Sequence, residues 1–343
     1  MNTSPKILVV REDKLGDFVL ALPCFDALRS LMPTSELTAF VPAYTQPIAE
    51  LHTAVDRVLI DPGARHPQGG ARALGRAWRA EKFDAVVALH LTGRIATAAW
   101  LARIPVRVGP STKAFQFLLN GRLAQRRSYS IQPEYEYNLD LVRHFAGLMS
   151  HDETFSVHRP VLELSPERIA ARRSALLGAF PDGDIRQIIA IHPGHGGSAN
   201  NLSLDQYARL GRALTARPGV GLLITAGPGE AELTDHLAAL LDGCPSRVFR
   251  SNEGLVRFGE VLGACDAFVG GSSGPLHLAG ALDVPTCGFY VRRRTGSMLR
   301  WQTLNSEDRR LAVEPGPAVD ERDMSGIDIP AAAQAILDRL LPT

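Results

Sequence analysis

Cysteine is scarce in this sequence and badly placed for covalent or metal chemistry. The four present, Cys24, Cys244, Cys265 and Cys287, are widely spaced, form no CxxC pair and have no histidine companion at metal-ligand spacing. That pattern excludes a disulfide-stapled scaffold or a zinc module and leaves small buried hydrophobes in a reducing compartment. Long hydrophobic runs are missing as well. Nothing approaches the roughly 20 apolar residues that span a bilayer. Lys6 to Val10 is a short apolar run followed at once by charges, unlike a signal peptide. The expected location is cytoplasmic, or peripheral on a membrane at most. An excess of one charge is absent too: 37 Lys and Arg against 36 Asp and Glu give a net charge of +1, so no global field favours nucleic acid. No GxGxxG follows a strand and no GxxxxGKS/T occurs, which weighs against nicotinamide dehydrogenases and P-loop NTPases. There is no GxSxG elbow and no HExxH.

What is present is ordinary globular composition, 45% hydrophobic and 21% charged over 343 residues, long enough for about two domains. Strands and helices alternate densely, the mark of doubly wound α/β sheets. Lys6–Val10 reads as a strand opening into Arg11-Glu-Asp-Lys-Leu-Gly-Asp17, with a helix over Phe18–Leu31 stopped by Pro33. Gly16 is expected to permit the sharp turn, which leaves Asp17 in the first helical turn. There an Asp either caps the helix and complements its dipole or acts as a general base at a strand's carboxyl end. Strands follow at 37–41, 55–60, 84–90 and 106–108, with helices at 44–51, 71–82, 95–102 and 134–149. His90 falls at a strand end, facing a cleft or packed as a core histidine. Between Lys113 and Arg127, the aromatics Phe115 and Phe117 sit among Arg122, Arg126 and Arg127. That mixture suits an anionic membrane surface or an amphiphilic acceptor, or else a solvated basic loop. The segment 150–164 lacks periodicity, so the expected division is 1–160, 161–328 and a C-terminal helix over 329–343.

The second half carries two glycine-rich strand-to-helix turns. Ile188–Ile191 is a buried strand running into Gly194, Gly196 and Gly197, and Ser203 is the expected N-cap of the next helix. The strand Asp266–Gly270 opens into Gly271-Ser-Ser-Gly-Pro-Leu-His-Leu-Ala279, with Pro275 in the first helical turn. Bare amides and a helix N-terminus pointing the same way hold anions, and two such turns converging would suit one diphosphate. His277, one turn in, either bonds a phosphate or packs. Glu230, after the strand 221–225 and a Gly-Pro-Gly turn, either accepts from a ribose diol or favours its helix N-terminus. Thr286–Tyr290 reads as the last strand, and 330–341 as a final helix.

Over nearly its whole length the chain resembles the heptosyltransferases, glycosyltransferase family 9. The resemblance lies in ILVVREDKLGDFVLALPCFDALRSLMP, HPGHGGSANNLSLDQYARL and VGGSSGPLHLAGALDVPTCGFY, in the family's order and spacing. It implies a GT-B fold, two Rossmann-like doubly wound domains facing a central cleft, with the acceptor bound by the first and a nucleotide sugar such as ADP-heptose by the second. It also implies metal-independent inverting transfer to a lipid-linked, lipopolysaccharide-core type acceptor, without a cofactor. In this reading Asp17 is the catalytic base. The donor nucleotide and diphosphate fall to Gly194, His195, Gly196, Gly197, Ser198 and Asn200, to Glu230, and to Ser272, Ser273, Gly274, Pro275 and His277. Acceptor-side candidates are Arg11, Lys14, Gly16, His90, Arg122 and Arg126. The chain departs from the family at Asn200 and Asn201, where a Lys or Arg is common, at Ser272 in place of an Asp, and at Arg292-Arg-Arg-Thr; the donor sugar is the point these departures bear on. The alternatives are a GT-B scaffold that binds nucleotide sugar without turnover, or a nucleotide-sugar epimerase or hydrolase.

Overall fold

The computed structural model describes residues 4–112, 114–151, 154–180, 184–194 and 200–341. The chain divides into two units, Met1–His158 and Arg159–Thr343.

In the first unit six parallel strands, β1 (Lys6–Val10), β2 (Glu36–Pro42), β3 (Arg57–Asp61), β4 (Ala85–Ala88), β5 (Val106–Pro110) and β6 (Gly121–Leu123), lie in the order β3-β2-β1-β4-β5-β6. Strands covered on both faces need continuous apolar runs, and Ile7–Val10 and Ala85–Ala88 are buried throughout. The connections are α1 (Leu15–Val19), α2 (Pro23–Leu31), α3 (Gln46–Leu51), α4 (Ala71–Glu81), α5 (Gly93–Leu101) and α6 (Glu134–Leu148). One face of the sheet is closed by α4 and α5, where Trp78 meets Phe40 edge-on at 5.1 Å in a cluster with Leu8, Val10, Val86 and Ile95.

The second unit repeats this winding. Its strands β7 (Gln187–His192), β8 (Val220–Ala226), β9 (Ser246–Arg250), β10 (Ala267–Gly271), β11 (Thr286–Phe289) and β12 (Arg310–Val313) are all parallel, in the order β12-β11-β10-β7-β8-β9. Its helices are α7 (Pro166–Gly178), α8 (Leu204–Thr215), α9 (Ala231–Leu240), α10 (Leu255–Gly263), α11 (Gly274–Ala281) and α12 (Ile329–Arg339). Ser203 starts α8 through a full capping box with Gln206. The C-terminal α12 packs on α8, its Ala332, Ala333 and Ile336 joining Tyr207, Leu210, Ile189 and Ile191 in one core.

In each sheet the first strand lies between its second and fourth. Order therefore reverses at β1/β4 and at β7/β10, and chain leaving those strands diverges to leave a crevice at their carboxyl ends.

Three local expectations are corrected. The helix over Phe18–Leu31 is two, α1 and α2: Pro23 has no N–H to continue α1 and instead starts α2. Gly16 does not make the strand-to-helix turn. It lies buried inside α1 outside the left-handed region, and the turn is carried by Arg11–Lys14, with Lys14 extended at the N-cap. Thr286–Phe289 is not the last strand, because Arg310–Val313 adds a half-exposed edge beyond it. Edge strand β6 likewise lies within the basic segment, where Gly121 allows Val108 and Leu148 to approach; a Cβ there would come within 2.7 Å of each.

Candidate functional site

The chain leaves β1 through a cluster of charges. Arg11 is 4% exposed, and each of its guanidinium nitrogens donates to an acceptor: Nε to Asp13 at 2.8 Å, Nη2 to Asp17 at 2.7 Å, Nη1 to Glu134 at 3.3 Å and Asn138 at 3.2 Å. Its positive charge is engaged inside the unit, where it anchors Asp17. These carboxylates hold its pKa above the ordinary arginine value against the opposing effect of burial. Asp17 keeps a fifth of its side chain exposed. Burial pushes its carboxyl above the usual carboxylate range, opposed by Arg11 and aided by Asp13 and Glu134. Asp17 caps nothing: Lys14 occupies the N-cap and Asp17 lies in the first turn, where its charge suits the helix dipole. Gly16, placed on the acceptor side by the sequence, is buried inside α1 and only carries its neighbour. Lys14 is exposed.

His90 follows β4 on the other side of the reversal. Its Nδ1 lies 3.4 Å from Glu12 and 3.9 Å from Asp13, and it is 43% exposed, which settles against a buried core histidine. The Glu12 interaction, partly offset by burial, raises its pKa. Beyond the ends of β4, β5 and β6 a cavity of about 460 Å³ is lined by Leu89, His90, Pro110, Gln125, Arg126 and Arg127. The structure thus brings His90 and Arg126 to one pocket. Arg126 donates to Tyr129 Oη at 2.9 Å and lies over its ring. Arg122 is exposed on β6 and is not among the lining residues.

In the second unit, His195, Gly196, Gly197 and Ser198 lie outside the described residues. Gly194 is described, and a Cβ on it would collide with the Glu230 carboxylate, so a side chain here could be accommodated only if that carboxylate moved. Glu230 occupies the N-cap of α9 but its side chain makes no cap bond; its Oε2 accepts from the Gly227 N–H at 2.8 Å and lies 3.5 Å from His192 Nε2. His192 in turn sits 3.0 Å from Thr225 Oγ1 through Nδ1. The ends of β7 and β8 therefore present one carboxylate against the Gly194 backbone.

The ends of β7 and β10 meet through Asn201. It donates to the Pro193 carbonyl at 2.8 Å and accepts from Tyr207 Oη at 2.6 Å, and a Cβ on Gly271 would lie 2.7 Å from its Oδ1. Asn200, expected at the diphosphate, is exposed, and its amide donates to the Arg322 carbonyl at 2.6 Å. Sequence reasoning singled out Asn201 only as a departure from the family and missed Tyr207, inside α8, and His192 and Thr225, polar residues at or near strand ends. Ser272 and Ser273 follow β10, with Pro275 in the first turn of α11 as expected. Ser273 is extended at the N-cap, yet its hydroxyl makes no cap bond. Ser273 Oγ and His277 Nδ1 are both buried without a hydrogen-bond partner among the described residues. Burial holds the imidazole neutral, with a pKa down to about 4. Buried polar atoms are normally satisfied, so two orphans one turn apart at a helix N-terminus make this turn a candidate anion site.

Among the described residues no three His, Cys, Asp or Glu side chains assemble as a metal-binding group, and no helix is long and apolar enough to cross a membrane. All four cysteines are free.

Two six-stranded parallel sheets of identical winding, each with a polar cluster at its reversal, place the chain in the GT-B class of fold. Residues 71–324 match the model for glycosyltransferase family 9 (heptosyltransferase). A Haemophilus influenzae protein whose description as a glycosyltransferase is provisional is 39% identical over 330 residues, 93% of this chain and 92% of the relative. A glycosyl transferase family 9 structure from Veillonella parvula superimposes with a TM-score of 0.80 at 18% identity, covering 100% of this chain and 99% of that one. Escherichia coli ADP-heptose lipopolysaccharide heptosyltransferase II gives 0.76 at 20% identity, covering 98% and 97%. The chain belongs to glycosyltransferase family 9, and it is a glycosyltransferase.

Proposed function

We propose that this enzyme moves a heptose or related sugar, with inversion and without a metal, from an ADP-linked donor to a lipopolysaccharide-core or other cell-surface glycan acceptor. The observation that carries the donor half is the pair of orphaned buried atoms, Ser273 Oγ and His277 Nδ1, at the N-terminus of α11. A diphosphate oxygen there would satisfy the hydroxyl, the imidazole N–H and the first backbone amides of the helix together. Glu230, held beside Gly194, is set to accept from a ribose diol. The related Escherichia coli structure is named for ADP-heptose and lipopolysaccharide, which supports this donor and acceptor class.

In the reaction, the acceptor hydroxyl oxygen attacks the anomeric carbon while Asp17 takes its proton. The bond from that carbon to the diphosphate breaks, and the electron pair leaves with the diphosphate, whose charge the helix end and backbone amides receive. On the acceptor side, Arg126 and His90 border the first unit's pocket, and Lys14 and Arg122 are exposed. Phe117, 70% exposed, and the arginines that follow support peripheral contact with the inner face of the inner membrane, where a lipid-linked acceptor would lie.

The test is a thermal-shift panel of nucleoside diphosphates and nucleotide sugars. A ligand at 100 times its Kd adds about 2.7 kcal/mol, which is readily visible. ADP and ADP-sugars are expected to shift the melt. A shift with UDP or GDP species alone overturns the ADP-linked donor, and no shift with any of them overturns nucleotide-sugar binding.

A further inference from the structure

We propose that Asp13 and Glu134 are positioning residues that share Arg11 with Asp17, so that Arg11 fixes Asp17 in place without removing its basicity. The inference rests on reading Asp17 as the base. A carboxylate paired with an arginine is ordinarily a poor base, because an opposite charge within 4–6 Å lowers its pKa by about 1–3 units. Asp17 has such a partner at 2.7 Å.

Arg11, however, is one cation facing three carboxylates. Asp13 takes Nε from the turn after β1, and Glu134 takes Nη1 from α6, 123 residues away. Glu134 is 1% exposed and Asn138 fully buried, and Asn138 is pinned by its donation to the Leu20 carbonyl at 3.1 Å. Arg127 donates to the same Glu134 oxygen as Arg11, at 2.5 Å, and so fixes that carboxylate in place. The attraction of Arg11 for Asp17 is thus opposed by repulsion from Asp13 and Glu134, which leaves burial to raise the Asp17 carboxyl. Arg11 holds Oδ1; among the described residues no hydrogen bond engages Oδ2, which is left to receive the acceptor proton. Other titratable groups face this cluster: Tyr44 donates to the Asp13 carbonyl at 3.2 Å, His90 lies 3.9 Å from the Asp13 carboxylate and 3.4 Å from Glu12, and the Cys24 thiol is buried among charges that include Arg11.

The experiment is a carbon-13 NMR titration of the full-length protein labelled at aspartate carboxyl carbons, with the Asp17 signal assigned by its loss in Asp17→Asn. Asp13→Asn and Glu134→Gln are each expected to lower the Asp17 pKa by about one unit, since each removes an anion that competes for Arg11. The acid-side fall of the transfer rate should move down in pH by the same amount, a change that mere loosening of the fold would not give. Asp13 is partly exposed, so Asp13→Asn keeps the test available if Glu134→Gln fails to fold. An Asp17 titration that is unchanged or moves upward in Asp13→Asn overturns the proposal. Transfer that persists in Asp17→Asn overturns the base assignment instead, whatever the titration shows.

Discussion

A single methyl group added at Gly194 probes the donor end of the enzyme. The Cβ of Gly194→Ala would occupy space now held by the Glu230 carboxylate. That carboxylate cannot yield freely: Oε2 accepts from the Gly227 N–H at 2.8 Å and lies 3.5 Å from His192. Rotating it away breaks a charge-assisted hydrogen bond worth about 1.5–3 kcal/mol. It also forfeits whatever the carboxylate gives a bound ribose diol. Loss of one charged hydrogen bond from Glu230 to the ribose, about 1.5–3 kcal/mol, should weaken ADP binding about 10- to 100-fold. The discrimination is sharper than the affinity. In the unmodified enzyme 2′-deoxy-ADP lacks one hydroxyl for Glu230 and should bind about tenfold more weakly than ADP. In Gly194→Ala and in Glu230→Ala that gap should close. Calorimetric titration with both nucleotides reads it directly, with circular dichroism confirming that the variants fold. A Gly194→Ala protein that binds ADP normally, or keeps the full preference for the 2′-hydroxyl, refutes the ribose assignment.

Asp17→Ala should abolish transfer while ADP affinity stays within about twofold of the unmodified enzyme; retention of most of the kcat would remove Asp17 as the base. His277 should make stability fall in acid. Its pKa drops from 6.5 unfolded to about 4 folded, so its contribution is full above pH 6.5 and is lost as pH falls towards 4. That loss is on the order of 3 kcal/mol. Urea melts across this range should show a flatter dependence for His277→Gln, and an unchanged slope would contradict burial as a neutral imidazole. Trp78→Ala removes the largest fully buried side chain of the first unit and should cost about 3–5 kcal/mol in denaturant unfolding. A cost below about 1 kcal/mol would mean that the α4 packing against Phe40 is not what holds that face.

The alternation of short apolar runs with helical spacing was legible residue by residue, because a buried parallel strand must be apolar throughout and a helix on its face must be amphipathic. Ile7–Val10, Ile188–Ile191 and the Ser203 cap follow from local chemistry alone, and so does the suitability of the Ser-Gly-Pro turn for an anion. Strand order is different in kind. That β1 lies between β2 and β4, and β7 between β8 and β10, depends on which crossover packs where. Only this order makes the turns after these strands the edges of a crevice. The same holds for partners far apart in the chain. Nothing near Asp17 announces that Glu134 neutralises its arginine, or near Gly194 that Glu230 lies against it, because such contacts are created by the packing of elements and leave no periodic trace. Asn200 and Asn201 illustrate the limit. Adjacent and chemically identical, they are told apart only by tertiary structure, which turns one to the Arg322 carbonyl and the other into the junction of the two turns.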